Sequence, residues 1–140
     1  MPQAPAGETL HHLLHAYRRA LRRAYDGQSL ALTVAQIRAL KSIRALAPTS
    51  AREVADYLQR DKAQITRLLR ELIETGSVVK QPDPDDGRRQ ILALSADGQA
   101  LLSRIDEGER QVHARLAADL DQTDIDAFAR LSQRMIHNLD

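Results

Sequence analysis

Lys62, Ala63, Gln64, Thr66, Arg67 and Arg70 fall within one short stretch, and Asp86, Arg88 and Arg89 fall within another. These residue types have defined uses against a nucleic-acid duplex. Arginine can engage guanine, and glutamine adenine, through paired hydrogen bonds to base edges. Threonine and lysine suit phosphate oxygens, which position a protein without reading sequence. In a helix, the first stretch would bury Ile65, Leu68 or Leu69, and Leu72, and would turn its polar members outward. Glu71 and Glu74 would then lie toward the far end of that helix. In the second stretch, Arg88 follows a glycine turn and suits a backbone contact. Asp86 either orients an arginine by a charged hydrogen bond or simply forms the turn.

Other chemistries find less support. His11 and His15 have the i, i+4 spacing of a metal-binding pair, with His12 between them. Glu8 is the nearest carboxylate and the chain has no cysteine, so we read these histidines as polar residues near a cleft and assign no metal. The lack of cysteine also excludes disulfides and thiol-based redox sensing. No glycine-rich phosphate loop, His-Glu-x-x-His motif or glycine-flanked serine elbow is present, so no catalytic residue and no cofactor is assigned. The Pro-Asp-Pro-Asp-Asp-Gly run at 82–87 lacks the distal glutamate of a calcium loop. Three tyrosines and one phenylalanine are too few for a single-strand binder built on base stacking.

The elements that must position these residues follow from spacing. Residues 1–7 are rich in Pro and Ala and read as frayed, and a helix over 8–26 follows, ended by Asp26-Gly27. Thr33-Val-Ala-Gln36 and Ser50-Ala-Arg-Glu53 have capping-box form and open two further helices, the first stopped by Pro48. Asp61, with Gln64 three residues on, is expected to cap the helix of the first polar stretch, and Gly76 to close it. The period then changes. Val78 to Lys80 and Arg88 to Leu94 read as strands of a hairpin over about 77–94, joined by the turn-rich run. Ser95 opens a long helix carrying apolar residues from Leu101 to Leu120, about 24 residues or roughly 36 Å at ~1.5 Å per residue. A last helix follows Thr123. The fold class is mainly α with a small β-hairpin wing: a winged helix-turn-helix over 33–94 flanked by terminal helices, in one domain over 1–140. A helix of ~10–12 Å diameter fits a major groove about 12 Å wide, and the hairpin tip then reaches the flanking backbone.

Charge supports this division. The chain of 140 residues has 20 basic and 19 acidic side chains, a net charge of +1. Residues 16–93 hold 15 basic and 9 acidic side chains, whereas residues 94–140 hold 5 and 9. The chain is therefore polarised into a basic portion and an acidic remainder. Arg18, Arg19, Arg22 and Arg23 read as a solvated face or as partners for the acidic run Asp119, Asp121, Asp124 and Asp126. No apolar run approaches membrane-spanning length and no secretory leader is visible, so a cytoplasmic location is expected.

Residues 49–102 resemble the MarR family of bacterial transcription regulators. Three features in order carry the resemblance: the helix-turn-helix with Lys62 to Gly76 as its recognition helix, the wing motif Asp86-x-Arg88, and the Leu94-Ser95-Ala96-Asp97-Gly98 exit into the long helix. Ser95 stands where threonine is commoner. The resemblance implies a homodimer joined through helices over 8–26 and 95–139, which binds palindromic promoter DNA. It implies a repressor, with Arg88 in the minor groove and a small aromatic or phenolic effector in a crevice. His12, Tyr17, Leu40 and Arg44 are the candidate effector contacts. The alternatives are a winged-helix protein-interaction adaptor without DNA binding, or a transcription activator.

Overall fold

The computed structural model describes residues 5–28 and 30–140. Among them the order is α1 (Ala6–Gly27), α2 (Val34–Leu46), α3 (Ala51–Leu58), α4 (Lys62–Glu74), β1 (Val78–Pro82), β2 (Gln90–Leu94), α5 (Ala96–Leu116) and α6 (Gln122–Leu139). The expected frayed start over 1–7 is shortened, because helix begins at Ala6; residues 1–4 lie outside the described residues. The two strands pair antiparallel, with Val78 opposite Leu94 and Pro82 opposite Gln90. Arg88 and Arg89 therefore belong to the turn and not to the second strand, where the spacing placed them.

The chain divides into two units. One comprises the chain up to Ala24 and Glu109–Asp140; the other is Tyr25–Gly108. Residues 96–108 of α5 thus group with the winged elements. The reason is burial: Leu102 and Ile105 complete a core formed with Ile37, Leu40, Ile43, Val54, Ile65, Leu72 and Val78. Within this unit α2, α3 and α4 pack on one another, β2 lies on α2 and β1 on α4.

Local chemistry sets the joints. Thr33 and Gln36 form both halves of a capping box at the start of α2. Ser50 accepts from the Glu53 amide at the start of α3. Gln59 ends α3 in the left-handed region at φ 52°. Asp61 occupies the N-cap position of α4 but makes no side-chain cap hydrogen bond, contrary to the expected Asp61 cap. Gly76, at φ +86°, reverses the chain into β1. Ser95 accepts from the Gly98 amide at 3.0 Å and donates to the Gly76 carbonyl. A Cβ on Gly98 would collide with the Ser77 carbonyl oxygen, so this close approach of α5 to the residue just before β1 requires glycine.

In the other unit, α5 ends at Leu116, shorter than expected. Leu120 extends the apolar spacing, but Asp119 turns the chain at φ 66° before it. Asp121, not Thr123, starts α6, through a capping box with Asp124. None of the residues of α6 is buried.

Candidate nucleic-acid interface

The helix carrying the first polar stretch is anchored by Ile65, Leu69 and Leu72, all buried. Ile73, which the spacing also placed in the stripe, is partly exposed. With that face fixed, Lys62, Ala63, Gln64, Thr66, Arg67 and Arg70 are all exposed. A shallow concavity of about 630 Å³ is lined by Asp61, Lys62, Ala63, Thr66, Arg67 and Arg70. Gln64 is exposed on the same helix but outside that lining. Thr66 donates to the Lys62 carbonyl at 2.8 Å, and its hydroxyl lone pairs remain available to accept. At the other end of α4, Glu71 accepts from Gln36 Nε2 at 3.0 Å, which ties its carboxylate to α2. The outward surface at the start of α4 therefore holds three cations and one carboxylate, that of Asp61.

The hairpin supplies the second group. Asp86 Oδ1 accepts from the Arg88 amide at 3.1 Å, and the Asp86 carbonyl accepts from the Arg89 amide at 2.9 Å. Asp86 thus serves the turn through the backbone of Arg88. The Arg88 side chain is exposed and makes no ion pair among the described residues. Arg89 differs: its guanidinium pairs with Glu53 on α3 and lies 3.6 Å from Asp83. Gln64, Arg67 and Arg88 could meet base edges or phosphates, and all belong to the Tyr25–Gly108 unit.

The four candidate effector contacts are not brought together within one unit. His12 and Tyr17 belong to the unit of the chain ends, and Leu40 and Arg44 to the winged unit. Tyr17 shares a 2.9 Å hydrogen bond with His113 Nε2, with the rings stacked at 6.0 Å. Leu40 is sealed in the core. Arg44 makes a bidentate pair with Asp106, at 2.7 and 3.0 Å, and lines a cleft of about 650 Å³ with Ile43, Pro48, Gln81, Leu92 and Leu102. His11, His12 and His15 are exposed, and no group of three metal-ligating side chains occurs among the described residues. Arg18, Arg19, Arg22 and Arg23 are exposed as well. No helix among the described residues is long and apolar enough to cross a membrane.

Spacing alone did not single out Glu53 or Thr49. Thr49 is fully buried and its carbonyl accepts from the Leu92 amide at 2.8 Å, adding a bridge beside β2. The only available signal was Ser50-x-x-Glu53, which spells a local cap and hides a long-range partner.

Residues 32–89 match the family model described as MarR family. Over 93 residues, 66% of the chain, the sequence is 32% identical to the multiple antibiotic resistance protein MarR of Escherichia coli (strain K12). The protein of that name in Salmonella typhimurium is 31% identical over 93 residues. The chain spans 60% of the length of these curated relatives. A cysteine-to-serine mutant of E. coli MarR complexed with operator DNA has a similar structure, with TM-score 0.80, 26% identity and coverage of 94% of this chain and 93% of that one. The PcaV transcriptional regulator from Streptomyces coelicolor, in complex with its natural ligand, shares the fold at TM-score 0.74 and 22% identity, covering 100% of both chains.

Proposed function

The chain belongs to the MarR family of transcription regulators, and on that premise we propose that it is a homodimeric, sequence-specific regulator of double-stranded promoter DNA. The observation that carries this reading is the surface of one rigidly anchored helix. The buried Ile65, Leu69 and Leu72 hold α4 so that Lys62, Gln64, Thr66, Arg67 and Arg70 all face outward. Arg88 on the hairpin extends that surface. In this reading α4 enters the major groove, Gln64 and Arg67 read base edges, and Lys62, Thr66 and Arg70 hold phosphates. Arg88 reaches the adjacent minor groove or backbone.

The exposed apolar face of α6, with Phe128, Leu131, Met135 and Ile136, supports a second copy as partner. Two copies present two reading helices to a palindrome, with half-sites about one helical turn apart. The protein acts in the cytoplasm as a repressor, and a small aromatic or phenolic effector releases it. The cleft beside Arg44 supports an effector of that size.

Fluorescence anisotropy with duplexes from the gene's own promoter region, titrated with salt, tests the reading. Tight binding to one palindromic segment, weakening steeply with salt, is the expected result. Arg67→Ala should cost about 1–3 kcal/mol on that segment and relax preference at particular base pairs. Arg88→Ala should weaken specific and random duplexes alike. A folded protein with no binding at low salt would defeat the proposal.

A further inference from the structure

Arg89 lies next to Arg88 in the wing, yet its side chain is held quite differently. Its Nη2 pairs with Glu53 Oε1 on α3, and its Nη1 is 3.6 Å from Asp83 Oδ2, a carboxylate only 12% exposed. Its backbone is fixed as well: the Arg89 carbonyl accepts from the Asp83 amide at 2.8 Å. Glu53 stands three residues after the N-cap Ser50, where a capping-box glutamate would reach back to the N-cap amide. Here its carboxylate accepts from the hydroxyls of Thr49 and Ser50, at 3.3 Å each, and takes the guanidinium of Arg89. The residue before the N-cap of α3 also holds the middle of the wing, through the Leu92 amide on the Thr49 carbonyl. The hairpin is therefore attached to the start of α3 at two heights: by backbone midway along its second strand and by the ion pair near its tip.

We propose that Arg89 is a positioning residue and not a DNA contact. With Glu53 and Asp83, it sets the angle of the wing so that Arg88 is presented to the duplex. The proposal rests on the DNA-binding reading above. Two facts favour it. A guanidinium flanked by two carboxylates has little net charge left for a phosphate, and an approaching polyanion would meet the exposed carboxylate of Glu53. A two-stranded hairpin is also too weak a structure to hold its own direction without further packing, so a tether near the tip has something to fix. An exposed ion pair adds little to folding stability, so the effect belongs to wing orientation.

The test compares wild type, Arg88→Gln, Arg89→Gln, Glu53→Gln and the Glu53→Gln/Arg89→Gln double variant, each confirmed folded by thermal melting, on one duplex across a salt series. Arg88→Gln should bind more weakly and lower the salt slope by about 0.9 for the lost contact. Glu53→Gln and Arg89→Gln should each weaken binding about three- to tenfold with the slope unchanged, and the double variant should be no worse than either single. Amides of residues 83–90 should exchange faster with solvent in both single variants. The opposite pattern overturns the proposal: Glu53→Gln binding as tightly as wild type or tighter, while Arg89→Gln weakens binding and lowers the slope. Unchanged amide exchange in both variants overturns it too. If wild type itself shows no salt-dependent binding, the DNA reading fails and takes the proposal with it. Faster exchange would then still identify the tether, so the two failures can be told apart.

Discussion

The helices α4 and α6 are built alike and end up differently. Each has an apolar stripe at helical spacing and a polar opposite face. In α4 the centre of the stripe is sealed in the core, with Ile65 at 0% and Leu72 at 1% exposure. In α6 Phe128 remains 56% exposed, Leu131 44% and Met135 52%. The same contrast holds between the two units. The Tyr25–Gly108 unit closes its own core, whereas the unit of the chain ends leaves Leu10, Leu116, Leu120 and the α6 stripe largely in water. Amphipathic spacing thus specifies that a face wants burial, but not which surface buries it. The winged unit has enough elements to bury the centre of the α4 stripe, leaving Ile73 at its margin. The terminal helices lack such a cover in one copy, and the proposed second copy would supply it.

The sharpest way to break the contrast is to make the α6 face polar. The double variant Leu131→Asp/Met135→Asp should turn the proposed dimer into monomer in analytical ultracentrifugation. Two medium apolar side chains are worth about 1.5–3 kcal/mol each when fully buried, so the loss should reach several kcal/mol of association free energy. The winged unit should stay folded, because neither residue belongs to its core. If the double variant sedimented as wild type, α6 would not be the dimer surface.

The corresponding cut in α4 is Ile65→Ala. It should cost about 2–5 kcal/mol of folding stability, as deletions of fully buried aliphatics do. The two variants should also differ in kind. Denaturation of Ile65→Ala should be shifted at every protein concentration, whereas α6 substitutions should act through the concentration dependence of the midpoint. A loss for Ile65→Ala that disappeared at high concentration would mean that the winged unit does not close its core alone.

Gly98→Ala probes how tightly that core is closed at its edge. The new methyl group would meet the Ser77 carbonyl, which is backbone and cannot swing away. Moving α5 away from Ser77 should cost about 1–3 kcal/mol in chemical denaturation, the range of overpacking. Gly87→Ala is the control, because nothing lies within 4 Å of a Cβ there. Equal midpoints for the two variants would show that α5 has room to shift.

Much of this was legible from residue spacing, and the exceptions have physical reasons. The order of helices, the hairpin and the outward polar face of α4 all follow from apolar period and turn residues. These are local signals, and the structure retains them. The end of α5 was not legible, because Leu120 continues the apolar spacing while Asp119 adopts a left-handed backbone that few non-glycine residues take. The Arg89–Glu53 pair was not legible either. Glu53 already had a local explanation as a cap, and nothing in a sequence marks which distant charge a carboxylate will meet. Asp86 is the opposite case: of its two readings the turn was local, and its carboxylate accepts from the nearby backbone amide of Arg88. Arg88 and Arg89 look equivalent as letters, and only tertiary placement separates an exposed arginine from an anchored one.

The smallest expected effect lies at the start of α4, where the stability and binding demands of the winged unit meet. Thr33 caps α2 with a full capping box, so Thr33→Ala should cost about 1 kcal/mol. Asp61 holds the equivalent position in α4 without a side-chain cap bond, so Asp61→Ala should lose much less in the same denaturation assay. Its effect on DNA should have the opposite sign. Asp61 is the one carboxylate lining the concavity with Lys62, Arg67 and Arg70. Removing it takes a negative charge away from the surface that phosphates would approach, so Asp61→Ala should bind duplex slightly more tightly than wild type, with the gain largest at low salt. Had Asp61 served as an ordinary cap, the variant would instead lose stability like Thr33→Ala. Had α4 not faced the duplex, binding would be unchanged. A variant that is nearly neutral for folding and favourable for binding is thus the outcome that separates an exposed reading helix from a helix that only completes a core.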